Sequence, residues 1–336
     1  MRIQRANLEG NCEQGSNQVG RCEPAGAVGP EEKRQFNERR YYRFGLQMGL
    51  ANLLQNRMRL GLKKTVGKIT QPINSYTRFP EYALMEKAIR NFSSTSTIRE
   101  RLKILDVGSP KCFGLYLAWS TEAEVELTDI SPLNLDEYKM IWNAIQSRAK
   151  GRAQFALQDA RSLQYDTGQF DVVYAMSVLE HIEGDTGDAE GIREMVRVLR
   201  PGGLLLLSFP FGKRYVEQRR TGFAHSVKKT EDKSIWFFQR IYNRSAFDVR
   251  ISPALKGLQI HNEWTIRRKR RLLVRSFRRL GENIQGVLGF VNPLLSRWVN
   301  RCTSGISDEI PSFYSEIYAV DDLYGDLVIV ASKEID

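Results

Sequence analysis

From residue 102 onward the chain repeats one pattern: a short unbroken apolar run, a helical stretch, then another apolar run. The runs are 102–107, 125–128, 155–157, 170–175 and 203–209, and the helical stretches between them include 113–119, 135–149 and 189–199. A strand with one wet face alternates apolar and polar residues, whereas a strand covered on both faces reads as continuous apolar text. Five such runs separated by helices call for right-handed βαβ crossovers, and so for a parallel sheet clad in helices. Two later runs, 258–265 and 326–331, extend the set.

What precedes this core has a different texture. Residues 1–30 are rich in Gly, Asn, Gln and Glu, with little apolar clustering, and read as a flexible tail. Residues 31–100 read as a helical extension. In its first part Phe36, Tyr41, Phe44, Met48, Leu53, Leu54 and Met58 recur among arginines. In its second part Pro80 suits the opening of a helix over 81–92. The main domain is expected to fill 101–336.

In an open α/β sheet, ligands bind beyond the carboxyl ends of the strands, at the turn into the next helix. The first run ends in Leu105-Asp106-Val107-Gly108-Ser109-Pro110, and Gly114 follows inside the next helical stretch. Gly108 permits a tight turn and a close approach of backbone to ligand. The glycine spacing is not G-x-G-x-x-G, which argues against a nicotinamide dehydrogenase. The second run ends at Asp129, 23 residues after Asp106, where a carboxylate can accept hydrogen bonds from both hydroxyls of a ribose. The third run ends in Leu157-Gln158-Asp159-Ala160, and the fourth in Ala175-Met176-Ser177 followed by Leu179-Glu180-His181. A helical stretch then closes at Arg200-Pro201-Gly202-Gly203. An acid at three successive strand ends, with this break before the fifth strand, is a specific constellation.

In order and residue type, these segments resemble the motifs of class I S-adenosylmethionine-dependent methyltransferases, of the methyltransferase type 11 kind. One departure is that Ser109-Pro110 stands where a second glycine is usual, which stiffens the loop. Arg78-Phe-Pro-Glu81-Tyr82, the acid-rich loop with Glu183, Asp185 and Asp188, and Ser208-Phe-Pro-Phe-Gly212 are loosely similar to bacterial methyltransferases of sugars and polysaccharide precursors. The resemblance implies a doubly wound, Rossmann-like α/β fold with a mostly parallel seven-stranded sheet and an antiparallel last strand. It places the helical extension before the sheet and an insertion, 266–324, between strands six and seven. It implies S-adenosyl-L-methionine as cofactor. Asp106, Gly108, Ser109 and Gly114 would surround its methionine moiety, Asp129 and Ile130 its ribose, Asp159 and Ala160 its adenine, and Met176 and Ser177 its sulfonium.

A hydroxyl or amine acceptor needs a base, and an imidazole titrates in the right range for proton transfer. His181, just past the fourth strand, is the first candidate and His225, after the fifth, the second; His261, within a strand, reads as structural. Each has a plainer reading, as a helix cap or a pocket wall. Four cysteines without a C-x-x-C pair, and three histidines, provide no metal-ligand spacing, so no metal is expected.

Residues 266–281 carry Arg267, Arg268, Lys269, Arg270, Arg271, Arg275, Arg278 and Arg279 with no acid. Leu273, Phe277, Leu280, Ile284, Val287, Val291, Leu295 and Trp298 continue at spacings near three and four, broken by Gly281, Gly286, Gly289 and Pro293. This is a basic amphipathic segment. Its readings are a solvated helix on the core, an anionic-membrane surface contact through 266–300, or a nucleic-acid groove, in that order of preference. The net charge of +11 is compatible with all three. Residues 1–10 lack the apolar stretch of a secretory signal, and the longest uncharged run in the C-terminal half, 283–296, is 14 residues, short of the ~18 that span a bilayer. The expected setting is cytoplasmic, with peripheral membrane attachment as an option of the basic segment. The expected acceptor is a small molecule, a glycan or a lipid-linked precursor. The alternatives are an RNA or tRNA methyltransferase and a catalytically silent cofactor-binding protein held at a membrane.

Overall fold

The structure, a computed structural model, describes residues 39–55, 78–95, 101–221, 235–268, 304–307 and 325–334. In chain order, two helices, α1 (Arg39–Gln55) and α2 (Arg78–Thr95), precede β1 (Lys103–Val107). There follow α3 (Lys111–Ser120), β2 (Glu124–Asp129), α4 (Pro132–Ile145), β3 (Arg152–Leu157), β4 (Phe170–Met176), α5 (Gly187–Val198) and β5 (Leu199–Phe211). A hairpin, β6 (Val216–Thr221) and β7 (Ile235–Ile241), leads to helical turns over 244–255. The chain then enters β8 (Leu258–Arg268), β9 (Ser304–Ser307) and β10 (Gly325–Lys333).

The main sheet has the order β3-β2-β1-β4-β5-β10-β8-β9. Strands β1 to β5 pair in parallel. The antiparallel β10 lies between β5 and β8, with Leu327 opposite both Phe209 and Thr265. The doubly wound topology with its late antiparallel strand is the one expected. The short β9 makes an eighth strand, antiparallel to β8, within the stretch assigned to the insertion. A second difference concerns Arg267 and Arg268: they continue β8, where Arg267 faces Gly305 and Arg268 faces Ser304, so they do not open a helix. The extended backbone persists there because β9 supplies a partner for it. The rest of the basic segment, 269–300, and His225 lie outside the described residues.

Each face of the sheet carries its own apolar layer. On one side Phe113, Leu117, Trp142, Val125, Val172 and Val328 pack with Tyr41, Phe44 and Met48 of α1 and Tyr82, Leu84, Met85 and Ile89 of α2. On the other, Val173, Leu205 and Ile329 pack under Ile192 and Met195 of α5 and Phe247 and Ile251 of the helical turns. Burial on both faces is why the strands read as continuous apolar runs. The first layer also buries Glu86 of α2, which accepts hydrogen bonds from Tyr41 and Tyr116 and pairs with Arg40 and Arg90 at 2.8 and 2.6 Å. Among the described residues, no helix is long and apolar enough to cross a membrane.

Candidate cofactor and acceptor site

The strand order reverses between β1 and β4, so the crevice of this fold opens at their carboxyl ends. Both strands end in a residue with positive φ, Gly108 at +69° and Ser177 at +50°. For serine that conformation is costly, and such strain gathers at functional sites. One bond joins the two ends, and each end is also tied to its outer neighbour strand. The Met176 N–H donates to Ser109 Oγ at 2.9 Å, the Ser177 N–H to the Ser208 carbonyl at 2.9 Å, and the Gly108 N–H to the Thr128 carbonyl at 3.1 Å. A Cβ on Gly108 would lie 2.9 Å from Val178 Cγ1, so the turn is closed against β4.

Asp106 is wholly buried beneath this turn. Its Oδ1 accepts from the Ser109 N–H at 2.8 Å and from Lys111 Nζ at 3.2 Å, and its Oδ2 from Tyr174 Oη at 2.7 Å. Burial pushes the Asp106 carboxyl up, and Lys111, Tyr174 and Ser109 counter it. Tyr174 is raised well above its ordinary value by burial and by the Asp106 charge. Gly114 sits where α3 meets the sheet: a Cβ there would fall 2.5 Å from Leu127 and 2.7 Å from Tyr174 Oη.

At the end of β2 the Asp129 carboxylate is partly covered, its side chain 15% exposed. Its Oδ1 accepts from the Ser131 N–H at 2.8 Å, while Asn134 Nδ2 and Lys111 Nζ stand 3.5 and 4.0 Å from Oδ2. Beside it lies an uncovered apolar ledge: Ile130 is 62% exposed, Leu133 78% and Leu157 59%. Asp159 is clasped by Arg161, whose Nε and Nη2 donate at 3.1 and 2.6 Å, and this hydrogen bonding holds its carboxyl below the ordinary range. Ala160 packs against the layer under α5. The loop after β3 is fastened by Glu194, which accepts from the Leu163 N–H at 2.9 Å and pairs with Arg197. Arg197 also donates to the carbonyls of Leu163 and Tyr165, both at 2.8 Å.

His181 follows β4 and meets the hairpin. Its Nδ1 is 2.6 Å from the Phe238 carbonyl, and because a carbonyl can only accept, Nδ1 carries the proton. Nε2 is then the basic nitrogen, 3.8 Å from Oε1 of the buried Glu180. Arg240 of β7 locks the hairpin over this loop, donating to the carbonyls of Ile182, at 2.6 Å, and Gly184. Buried Asp188 at the start of α5 takes two hydrogen bonds from Arg250, each 3.0 Å, and one from Tyr242 Oη at 2.8 Å. Behind the end of β5, buried Glu81 of α2 accepts from Ser208 Oγ at 2.8 Å. His261 bonds Ser332 Oγ across β8 and β10, away from the crevice.

Lys111 and Arg240 are buried near these strand ends although sequence reasoning gave them no role, and Glu81 and Glu180, quoted there only within motifs, are buried as well. Lysines, arginines and glutamates are ordinarily read as solvated, and the signal that could have found the added strand is the aromatic and β-branched run 235–241. Among the described residues, no cluster of His, Cys, Asp and Glu could hold a metal ion.

The parallel strands with their switch-point crevice define a Rossmann-like domain. Residues 105–207 match the family described as a methyltransferase domain. Residues 105–207 are thus similar to a methyltransferase domain, and this similarity points to S-adenosylmethionine as the cofactor. Solved structures similar to it include a SAM-dependent methyltransferase from Methanosarcina mazei, at 16% identity, TM-score 0.45, covering 74% of this chain and 97% of that one. Another is the [4+2]-cyclase SpnF, at 19% identity, TM-score 0.45 and coverage of 75% and 81%. A third is a phosphoethanolamine N-methyltransferase of Haemonchus contortus holding S-adenosylhomocysteine, at 13% identity, TM-score 0.44 and coverage of 84% and 60%.

The adenosine half of the cofactor suits the residues present. The exposed Ile130, Leu133 and Leu157 offer apolar surface to a purine, and Asp129 Oδ2 is an acceptor for hydroxyl donors.

Proposed function

We propose that the protein transfers the methyl group of S-adenosylmethionine to a hydroxyl, or an amine, of a small-molecule, glycan or lipid-linked acceptor. The observation that carries this reading is His181, with Nδ1–H fixed on the Phe238 carbonyl and Nε2 beside Glu180. That arrangement suits a general base: Nε2 takes the acceptor's proton, and the carboxylate beside it favours the imidazolium that forms. The sulfonium supplies an already activated methyl, so orientation and proton removal are what the chain's side chains contribute. Asp129 and Ile130 bind the ribose, and Asp159 and Ala160 border the adenine. Gly108 and Ser109 lie at the methionine end, above Asp106 and Gly114, and Met176 and Ser177 lie at the reacting centre. His225 stays a second candidate base.

A hairpin locked over the His181 loop favours a compact acceptor group over a duplex. Calorimetric titration with S-adenosylmethionine tests the cofactor half. Micromolar binding is expected, weakened at least ~10-fold in Asp129→Ala through loss of a charged hydrogen-bond acceptor. His181→Asn is expected to keep cofactor binding and to lose ~10²- to 10⁴-fold in turnover once an acceptor is found. Co-purifying RNA released steeply by salt would favour the nucleic-acid reading. Vesicle binding with no methylated product from any acceptor would favour the silent membrane protein.

A further inference from the structure

Lys111 is placed where a lysine is least at home. It is 1% exposed, and it opens α3, where the helix dipole already presents positive charge. Burial and dipole both disfavour an ammonium there, so a specific set of acceptors must offset them. That set consists of the Ser109 carbonyl at 2.6 Å, Asp106 Oδ1 at 3.2 Å and Asp129 Oδ2 at 4.0 Å. All three belong to the carboxyl ends of β1 and β2, where a ligand of this fold binds. An anionic carboxylate and a free carbonyl, held by the stiff Ser109-Pro110 turn, form a receptor for an ammonium group, and the chain's own ammonium fills it.

We propose that Lys111 stands in for the amino group of the cofactor. The site then recognises its ligand through the adenosine half, and the ligand's own ammonium adds little. This rests on the reading of the crevice as an S-adenosylmethionine site. Asp106 is saturated by Ser109, Lys111 and Tyr174, whereas around Asp129 Oδ2 the nearest donors, Asn134 and Lys111, stand at 3.5 and 4.0 Å and leave it capacity for a hydroxyl donor. The consequence is tolerance of cofactor fragments that lack the amino-acid end.

The test compares S-adenosylhomocysteine with 5′-methylthioadenosine by calorimetry. The two share adenosine and a neutral thioether, and only the first carries an ammonium and a carboxylate. In the wild type the two affinities are expected to fall within about tenfold. In Lys111→Met, which keeps the bulk of the side chain, the vacated acceptors are free for the ligand's ammonium. The preference for S-adenosylhomocysteine is then expected to rise roughly tenfold or more, with 5′-methylthioadenosine unchanged. A wild-type preference of about a thousandfold for S-adenosylhomocysteine overturns the proposal, and needs no variant. So does an unchanged or reduced preference in folded Lys111→Met, which would make the lysine a packing element or a carboxylate ligand. If folded wild type binds neither compound, the cofactor reading itself fails, a result distinct from a large preference between two bound ligands.

Discussion

Gly114 leaves no room for a side chain, because Leu127, Tyr174 Oη and Asp106 Oδ2 already occupy the space a Cβ would take. Gly114→Ala is therefore expected to lower stability by about 1–3 kcal/mol, the usual cost of overpacking, measured by urea denaturation. Gly108→Ala meets two separate obstacles, the positive φ and Val178. Shortening the neighbour removes only the second, so Gly108→Ala/Val178→Ala should recover part of the loss and leave about 1–2 kcal/mol of backbone strain. The residue scale is also where sequence reading reached its limit. Asp106, Gly108, Asp129 and Asp159 stood out because acids and glycines at strand ends have few other uses. Lys111 did not, since a lysine's burial depends on acceptors from two strands that only the folded sheet assembles.

At the scale of elements, the loop after β3 and the hairpin after β5 are the pieces tied down by charge. Arg197 holds the Glu194 carboxyl below its ordinary value of 4.5. A depressed native value means the added stability is present above the ordinary value and is lost as pH falls through the native one. Glu194→Gln should remove that increment, so the variant's denaturation midpoint should change less than the wild type's on acidification from 4.5. Asp188 anchors the helical turns through Arg250 and Tyr242. Asp188→Ala leaves buried Arg240 and half-buried Arg250 without their carboxylate, and about 3–5 kcal/mol of destabilisation is expected in the same urea assay. The five parallel strands were legible because strands buried on both faces are apolar throughout. The hairpin was not: Val-Glu-Gln-Arg-Arg-Thr of β6 reads as solvated loop, and it becomes a strand only through its pairing with β7. Likewise β8 runs into Arg267 and Arg268 because β9 is there to receive it.

On the scale of the whole molecule, α1 and α2 share one apolar layer with β1, β2, β4, β5 and β10, so the N-terminal helices should not melt by themselves. Native-state hydrogen exchange is expected to place Met85 of α2 and Leu105 of β1 within about 1 kcal/mol of one another in opening free energy. A much weaker α2 would mean that the extension is an independent unit. The position of β10 has another consequence, for the chain as it is made. Residues 325–333 pair with β5 on one side and β8 on the other, so a nascent chain that has not yet reached them carries two bare strand edges. Until those nine residues leave the ribosome, β5 and β8 can recruit a neighbouring chain as readily as their own last strand. A premature stop shortly before residue 325 would thus leave a sticky, open sheet, a natural client for chaperones and proteases.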